Sequence, residues 1–217
     1  YIRLFDDAHP FTTASKVWLC SENIVEIWQS TQDTRSTQLV FCDTSTPKEE
    51  FNLYSELKNL LVCSGIPARE IAFAHDATTE RAREALLASV RAGEVRVLIG
   101  STFKLGIGVN VQDLLIAIHH LDVPWRPADM TQREGRILRQ GNANEEVRIF
   151  RYITEGSFDA YSWQLLETKQ LFITEILSGS LALRDAADVD DTALEYAEVK
   201  ALATGDPLIQ ERIETAN

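Results

Sequence analysis

Two spacings of apolar residues alternate along this chain. Val17, Cys20, Ile24, Ile27 and Trp28 recur at helical intervals, which predicts a helix from Ser15. Gln38 to Cys42 is instead a short apolar run, the signature of a strand covered on both faces. Asp43-Thr44-Ser45-Thr46-Pro47 then reads as a loop in which Thr46 caps a helix and Pro47 is its first residue. That helix carries Phe51, Tyr54, Leu57 and Leu61 on one face, and Ile66-Pro67 breaks it. The alternation continues with a strand over Ile71–His75 and a helix over Thr79–Ala92, stopped by Gly93. Further strands are expected at Val95–Ile99, Leu114–Ile118 and Val147–Tyr152. Strands alternating with helices predict an α/β fold, a parallel sheet with helices on both faces. Right-handed crossovers gather the strand C-termini along one edge, where ligands bind in such sheets.

After Ile153 the character changes. Ser157 can cap a helix running to about Ser178, with Phe158, Tyr161, Trp163, Leu171 and Phe172 on several sides. Core packing and docking to another part of a parent protein both account for that spread. Asp190 to about Leu202 reads as a last amphipathic helix. The expected division is a lobe over 1–155, with a lead-in helix at about 15–30, and a helical extension with an acidic tail over 156–217.

Composition narrows the class. The chain has 217 residues, 45% of them hydrophobic and 25% charged, a globular balance. No apolar run approaches the roughly 18 residues of a membrane helix, and no signal peptide opens it, so a cytoplasmic protein without a membrane partner is expected. The start at Tyr1 and the single methionine, Met130, suggest a piece of something longer. Cys20, Cys42 and Cys63 are too far apart for a metal cluster and read as buried free thiols; the four histidines show no zinc spacing. Net charge is −12, but residues 185–217 hold nine acidic residues against Lys200 and Arg212, which leaves −5 on residues 1–184. Any grip on a phosphate backbone must therefore be local.

Two stretches carry chemistry. Gly100-Ser101-Thr102-Phe103-Lys104-Leu105-Gly106-Ile107-Gly108-Val109-Asn110 follows the third strand, and its hydroxyls, glycines and amide can present donors to phosphate; an ordinary connecting loop would look similar. Gln132-Arg133-Glu134-Gly135-Arg136-Ile137-Leu138-Arg139-Gln140-Gly141 follows a Pro-punctuated loop, with Asp129 placed to cap a helix. On that helix Arg136 and Arg139 would share a face one turn apart, two planar forks suited to the oxygens of a transferring phosphoryl group. Gly135, between Arg133 and Arg136, implies a close backbone approach or a packing need, since glycine in a helix costs about 1 kcal/mol.

The second stretch resembles motif VI of the superfamily-two helicases and translocases, and Leu121–Pro127 is similar to the segment before it in the Swi/Snf-like branch. The first resembles motif V, with Ser101, Thr102, Gly106, Gly108 and Asn110 at the matching positions; Phe103 and Val109 depart from the pattern of some branches. Phe41-Cys42-Asp43-Thr44-Ser45 resembles motif IV, and His75-Asp76-Ala77-Thr78 more weakly the turn before an Arg-bearing helix. For Asp43, capping its own loop is an equal alternative. The resemblance spans roughly residues 35–155, and the whole chain looks like the helicase portion of very large phage and plasmid antirestriction-type proteins that join a DNA methylase to a helicase. It implies a RecA-like C-terminal lobe. Gln132, Arg136 and Arg139 would serve catalysis and bind nucleotide with Gly106, Gly108 and Asn110. Asp43, Thr44, Ser101, Thr102 and Lys104 would contact DNA, taken as double-stranded. ATP and Mg2+ would be held mainly by an N-terminal lobe of the same parent chain, because no Gly-x-x-x-x-Gly-Lys-[Ser/Thr] and no strand ending in Asp-Glu occurs here. Alone, this chain is expected to be inactive. Two rivals stay open: a non-catalytic interaction module on the same fold, and a phospho-acceptor receiver domain using Asp6-Asp7, Asp43, Ser101 and Lys104. The second strains the spacing from 43 to 101.

Overall fold

The computed structural model describes residues 15–47, 51–106, 109–138, 140–154 and 157–178, with side chains of the last helix to Ile173. The helix expected at 190–202 and the acidic tail lie outside them. Five parallel strands form one sheet in the order β2-β3-β1-β4-β5: β1 Thr37–Phe41, β2 Ile71–Phe73, β3 Val97–Gly100, β4 Leu115–His120 and β5 Arg148–Arg151. The helices are α1 Lys16–Ser30, α2 Leu53–Cys63, α3 Glu80–Arg91, α4 Thr102–Gly106, α5 Pro127–Glu134 and α6 Phe158–Ser178. The expected RecA-like α/β architecture is the one observed. Every residue of β1 and β3 is buried, which explains the apolar runs Leu39–Cys42 and Val97–Ile99.

The two faces are covered by different helices. On one, Val17, Cys20 and Ile24 of α1 and Leu53, Leu57 and Leu61 of α2 pack on Val40, Val97 and Ile99. On the other, Leu87 and Val90 of α3, Leu105 of α4 and Ile137 pack on Leu39, Phe41, Leu98 and Ile118. Local chemistry sets the boundaries. Ser15 Oγ accepts from the Trp18 amide at 3.2 Å and starts α1. Gly93, at φ 69°, stops α3 as expected.

Three expectations need correcting. Thr46 and Pro47 do not start α2; its cap is Asn52, whose Oδ1 accepts from the Ser55 amide at 2.9 Å, beside the first apolar position that α2 buries. Cys63 is exposed at the end of α2, whereas Cys20 and Cys42 are buried. Burial pushes both of those thiols well above their ordinary pKa. Asp129 is not a cap: α5 begins two residues earlier, at Pro127, whose fixed φ and missing N–H suit a first helical position.

The chain divides into two compact units, residues 1–124 with 128–152, and 125–127 with 153–217. The second contains α6, where Ser157 Oγ accepts from the Asp159 amide at 3.2 Å and Lys169 lies over the Trp125 ring at 5.5 Å. No helix among the described residues is long and apolar enough to cross a membrane.

Candidate functional site

The loops after β1, β3 and β4 meet at the carboxyl edge of the sheet, and a single side chain ties them together. Arg133, fully buried on α5, donates through Nε to Thr102 Oγ1 at 2.8 Å, through Nη1 to the Asp122 carbonyl at 3.0 Å, and through Nη2 to Asp43 Oδ2 at 2.6 Å and Asp122 Oδ1 at 3.2 Å. Each acceptor is itself engaged. Asp43 accepts from the Thr102 amide and hydroxyl, both at 2.6 Å. Asp122 Oδ2 accepts from the Asp43 amide and from the Thr44 amide and hydroxyl, the last two at 2.7 and 2.8 Å. The guanidinium lies over the Phe41 ring at 5.1 Å. Below, Tyr54 donates its hydroxyl to the Cys42 carbonyl at 2.6 Å, which fixes the backbone just before Asp43.

A second junction lies beside the first. Gln132 Nε2 donates to the Gly106 carbonyl at 2.8 Å. Arg136 donates to the same carbonyl through Nη2, and to the Val109 carbonyl through Nη1 at 3.0 Å. A Cβ on Gly106 would stand 3.0 Å from Gln132 Oε1, a tight contact that the exposed Gln132 side chain would have to relieve by shifting. Arg136 does not lie on a shared helical face as expected, because α5 ends at Glu134 and Arg136 sits in the turn that follows. Gly135 marks the change: its N–H bonds the Thr131 carbonyl at 2.8 Å, and a Cβ there would come within 2.9 Å of that oxygen. Arg136 is buried and faces the loop after β3. Arg139 and Gly108 lie outside the described residues.

Behind these junctions the histidines of β4 are neutral. His120 stacks on Phe41 at 5.8 Å, with its Nε2 3.6 Å from Glu134 Oε1. Its pKa is pushed down to about 3, by burial first and by the Arg133 charge next. His119, fully buried, stands 3.0 Å from Gln38 Oε1 through Nε2 and 2.8 Å from Tyr152 Oη through Nδ1. Gln38 spends its amide N–H on the Ile24 carbonyl, so its oxygen faces the ring, Nε2 carries the proton and Nδ1 accepts. Burial lowers the His119 pKa to about 3 as well. Of the other predicted residues, Ser101 is buried with its hydroxyl accepting from the Lys104 amide at 3.3 Å, and Asn110 is exposed.

Residues 18–141 match the model of the helicase conserved C-terminal domain. The chain belongs to that family. It is also 34% identical over 108 residues to defense against restriction protein B of Escherichia phage P1, a match covering 50% of this chain and 5% of that protein, so it spans only a small part of that relative's length. The fold is similar to the C-terminal part of the Fun30 ATPase domain, with a TM-score of 0.58 and 20% identity over 94% of this chain and 55% of that one. It is similar too to domain 2 of the DEAD-box helicase Mss116p, solved on an RNA duplex, with a TM-score of 0.53 and 17% identity over 71% of this chain and 55% of that one.

In this helicase C-terminal domain, the structure brings the motif residues Asp43, Thr44 and Thr102 into one cluster and Gly106, Gln132 and Arg136 into another. Sequence reasoning missed the roles of Arg133 and Asp122. Arg133 stood in the motif stretch and Asp122 in the segment before it, but their partners are separated from them by up to 90 residues, beyond any local spacing. The one local signal was the i, i+3 placement of Arg133 before Arg136.

Proposed function

We propose that this domain is the second motor lobe of an ATP-dependent DNA helicase or translocase. It completes a nucleotide site built on another lobe of the same polypeptide and touches the nucleic-acid backbone through the loops after β1 and β3. The observation that carries this reading is the Gly106 junction, where Gln132 and Arg136 converge on the loop after β3. A movement of that loop with nucleic acid is thereby transmitted to the turn that carries the arginines. Arg136 spends two donors on neutral carbonyls. Exchanging those for phosphate oxygens on lobe closure pairs the planar guanidinium with an anion whose geometry it matches. Arg136 and Arg139 then stabilise charge on the transferring phosphoryl group, and Gln132 orients the turn. Mg2+ is assigned with the nucleotide to the other lobe, because this sequence holds no Gly-x-x-x-x-Gly-Lys-[Ser/Thr] loop and no strand ending in Asp-Glu.

The test is made on the intact protein. Arg136→Ala and Arg139→Ala should each lower DNA-stimulated ATP turnover by on the order of 10³-fold while ATP binding is largely kept. Unchanged turnover in both variants would remove the arginine assignment, and turnover indifferent to DNA would remove the motor.

A further inference from the structure

Phe103 is the most exposed large apolar side chain among the described residues, at 75%. Isolated exposed apolar groups are common and mean little alone. This one stands on the carboxyl edge, on the residue after Thr102, whose amide and hydroxyl are both bound to Asp43. Two residues on, Leu105 is fully buried, so α4 is anchored on its inner side and turns the Phe103 ring outward. Beside the ring opens a cavity of about 230 Å³, lined by Thr78, Thr79, Arg83 and Lys104 over a floor that includes Leu98 and Val109. Drug-sized pockets start at roughly 300 Å³, so this one suits something smaller.

We propose that Phe103 is a stacking platform for one unpaired nucleobase, whose flanking phosphates lie toward Lys104 and Arg83. The inference rests on the motor reading above and narrows its ligand to a strand with at least one base out of the stack. An aromatic ring without polar atoms offers a face and no hydrogen bonds, which accepts any base and reads no sequence. In a duplex each base face already lies against its neighbours, leaving no face for the ring. The charge around the cavity favours the same occupant: two cations, Arg83 and Lys104, outnumber Glu80. The backbone on either side is held by Thr102 and Leu105, so binding has only the two torsions of the Phe103 side chain to order.

The experiment uses the intact protein and a short oligothymidylate carrying one 2-aminopurine, whose fluorescence falls when it stacks. Phe103→Leu keeps an apolar side chain at an exposed position but removes the π face, and Phe103→Trp restores one. Phe103→Leu should weaken single-strand binding by on the order of tenfold and abolish the quenching, and Phe103→Trp should recover both. The slope of log Kd against log salt should not change, since no charge is altered. Affinity for the same sequence as a duplex should also stay constant. If wild type binds the single strand and Phe103→Leu matches it in affinity and quenching, the platform is refuted and the motor reading stands. Equal weakening on both forms of DNA would make the ring a groove wedge and refute it too. Failure of wild type to bind either form would take the motor reading down with it.

Discussion

Arg133 shows how one buried side chain can set the geometry of a site. Its guanidinium is fully buried and meets two carboxylates, Asp122 nearly buried and Asp43 39% exposed. A buried ion pair is weak evidence for net stability, since an apolar replacement of the whole cluster can be neutral or better. Removing one member is a different matter, because the others stay behind with their desolvation uncompensated. Arg133→Ala is therefore expected to destabilise the domain by about 3–5 kcal/mol, toward the lower figure because Asp43 keeps some water. Arg133→Lys restores the charge but not the planar fork that reaches Thr102, Asp122 and Asp43 together, so its loss should be intermediate. Urea unfolding followed by circular dichroism measures both. A loss under about 1 kcal/mol for Arg133→Ala would show that the cluster is solvated and does not hold the three loops.

At the level of elements, the junction between β3 and α4 is where packing leaves least room. A Cβ on Gly100 would stand 2.6 Å from Leu105 Cγ and 2.9 Å from the Ala74 Cβ, both anchored groups that cannot swing aside. Gly100→Ala should cost about 1–3 kcal/mol as overpacking, seen as a lower urea midpoint with an unchanged slope. A midpoint equal to wild type would mean α4 is free to shift, and with it the footing of Phe103. Elements such as α1 and the parallel strands were legible in advance because their causes are local: apolar spacing, a capping hydroxyl, a glycine at positive φ. The end of α5 was not. Arg133, Arg136 and Arg139 keep a helical interval in the sequence, yet the helix stops at Glu134. Arg133 is held by three separate loops, and Arg136 by the carbonyls of Gly106 and Val109. The start of α2 was misplaced for a related reason, since Thr46-Pro47 is a sound cap in isolation while the buried face of α2 begins only at Leu53. The motif residues themselves could be named from their order along the chain. Their grouping into two junctions depends on which strands lie side by side, β3, β1 and β4, and strand order is not written in local periodicity.

For the whole molecule, the consequence of this architecture is a defined response to acid. His119 and His120 sit on the inner strand β4, between β1 and β5, both without solvent exposure, and both have pKa values lowered to about 3 from an ordinary 6.5. In the unfolded chain they take up protons as pH drops through 6.5, while in the folded chain they stay neutral until about 3. Across that window the unfolded state binds more protons, so stability rises with pH and is lost progressively as pH falls from 6.5 toward 3. The contribution is complete above the unfolded value and approaches on the order of 1 kcal/mol per pH unit for each histidine well inside the window. Charge is opposed at both rings beyond burial. His119 already uses both nitrogens in neutral hydrogen bonds, and His120 faces the Arg133 guanidinium, which Glu134, 3.6 Å from its other nitrogen, offsets only in part. Urea midpoints measured from pH 8 down to pH 5 should therefore fall with a steepening slope below about 6.5. His119→Gln, which cannot titrate, should be less stable at neutral pH but show a flatter decline. Parallel profiles for wild type and His119→Gln would mean that this histidine titrates in the folded protein as it does in the unfolded chain, against its burial between Gln38 and Tyr152.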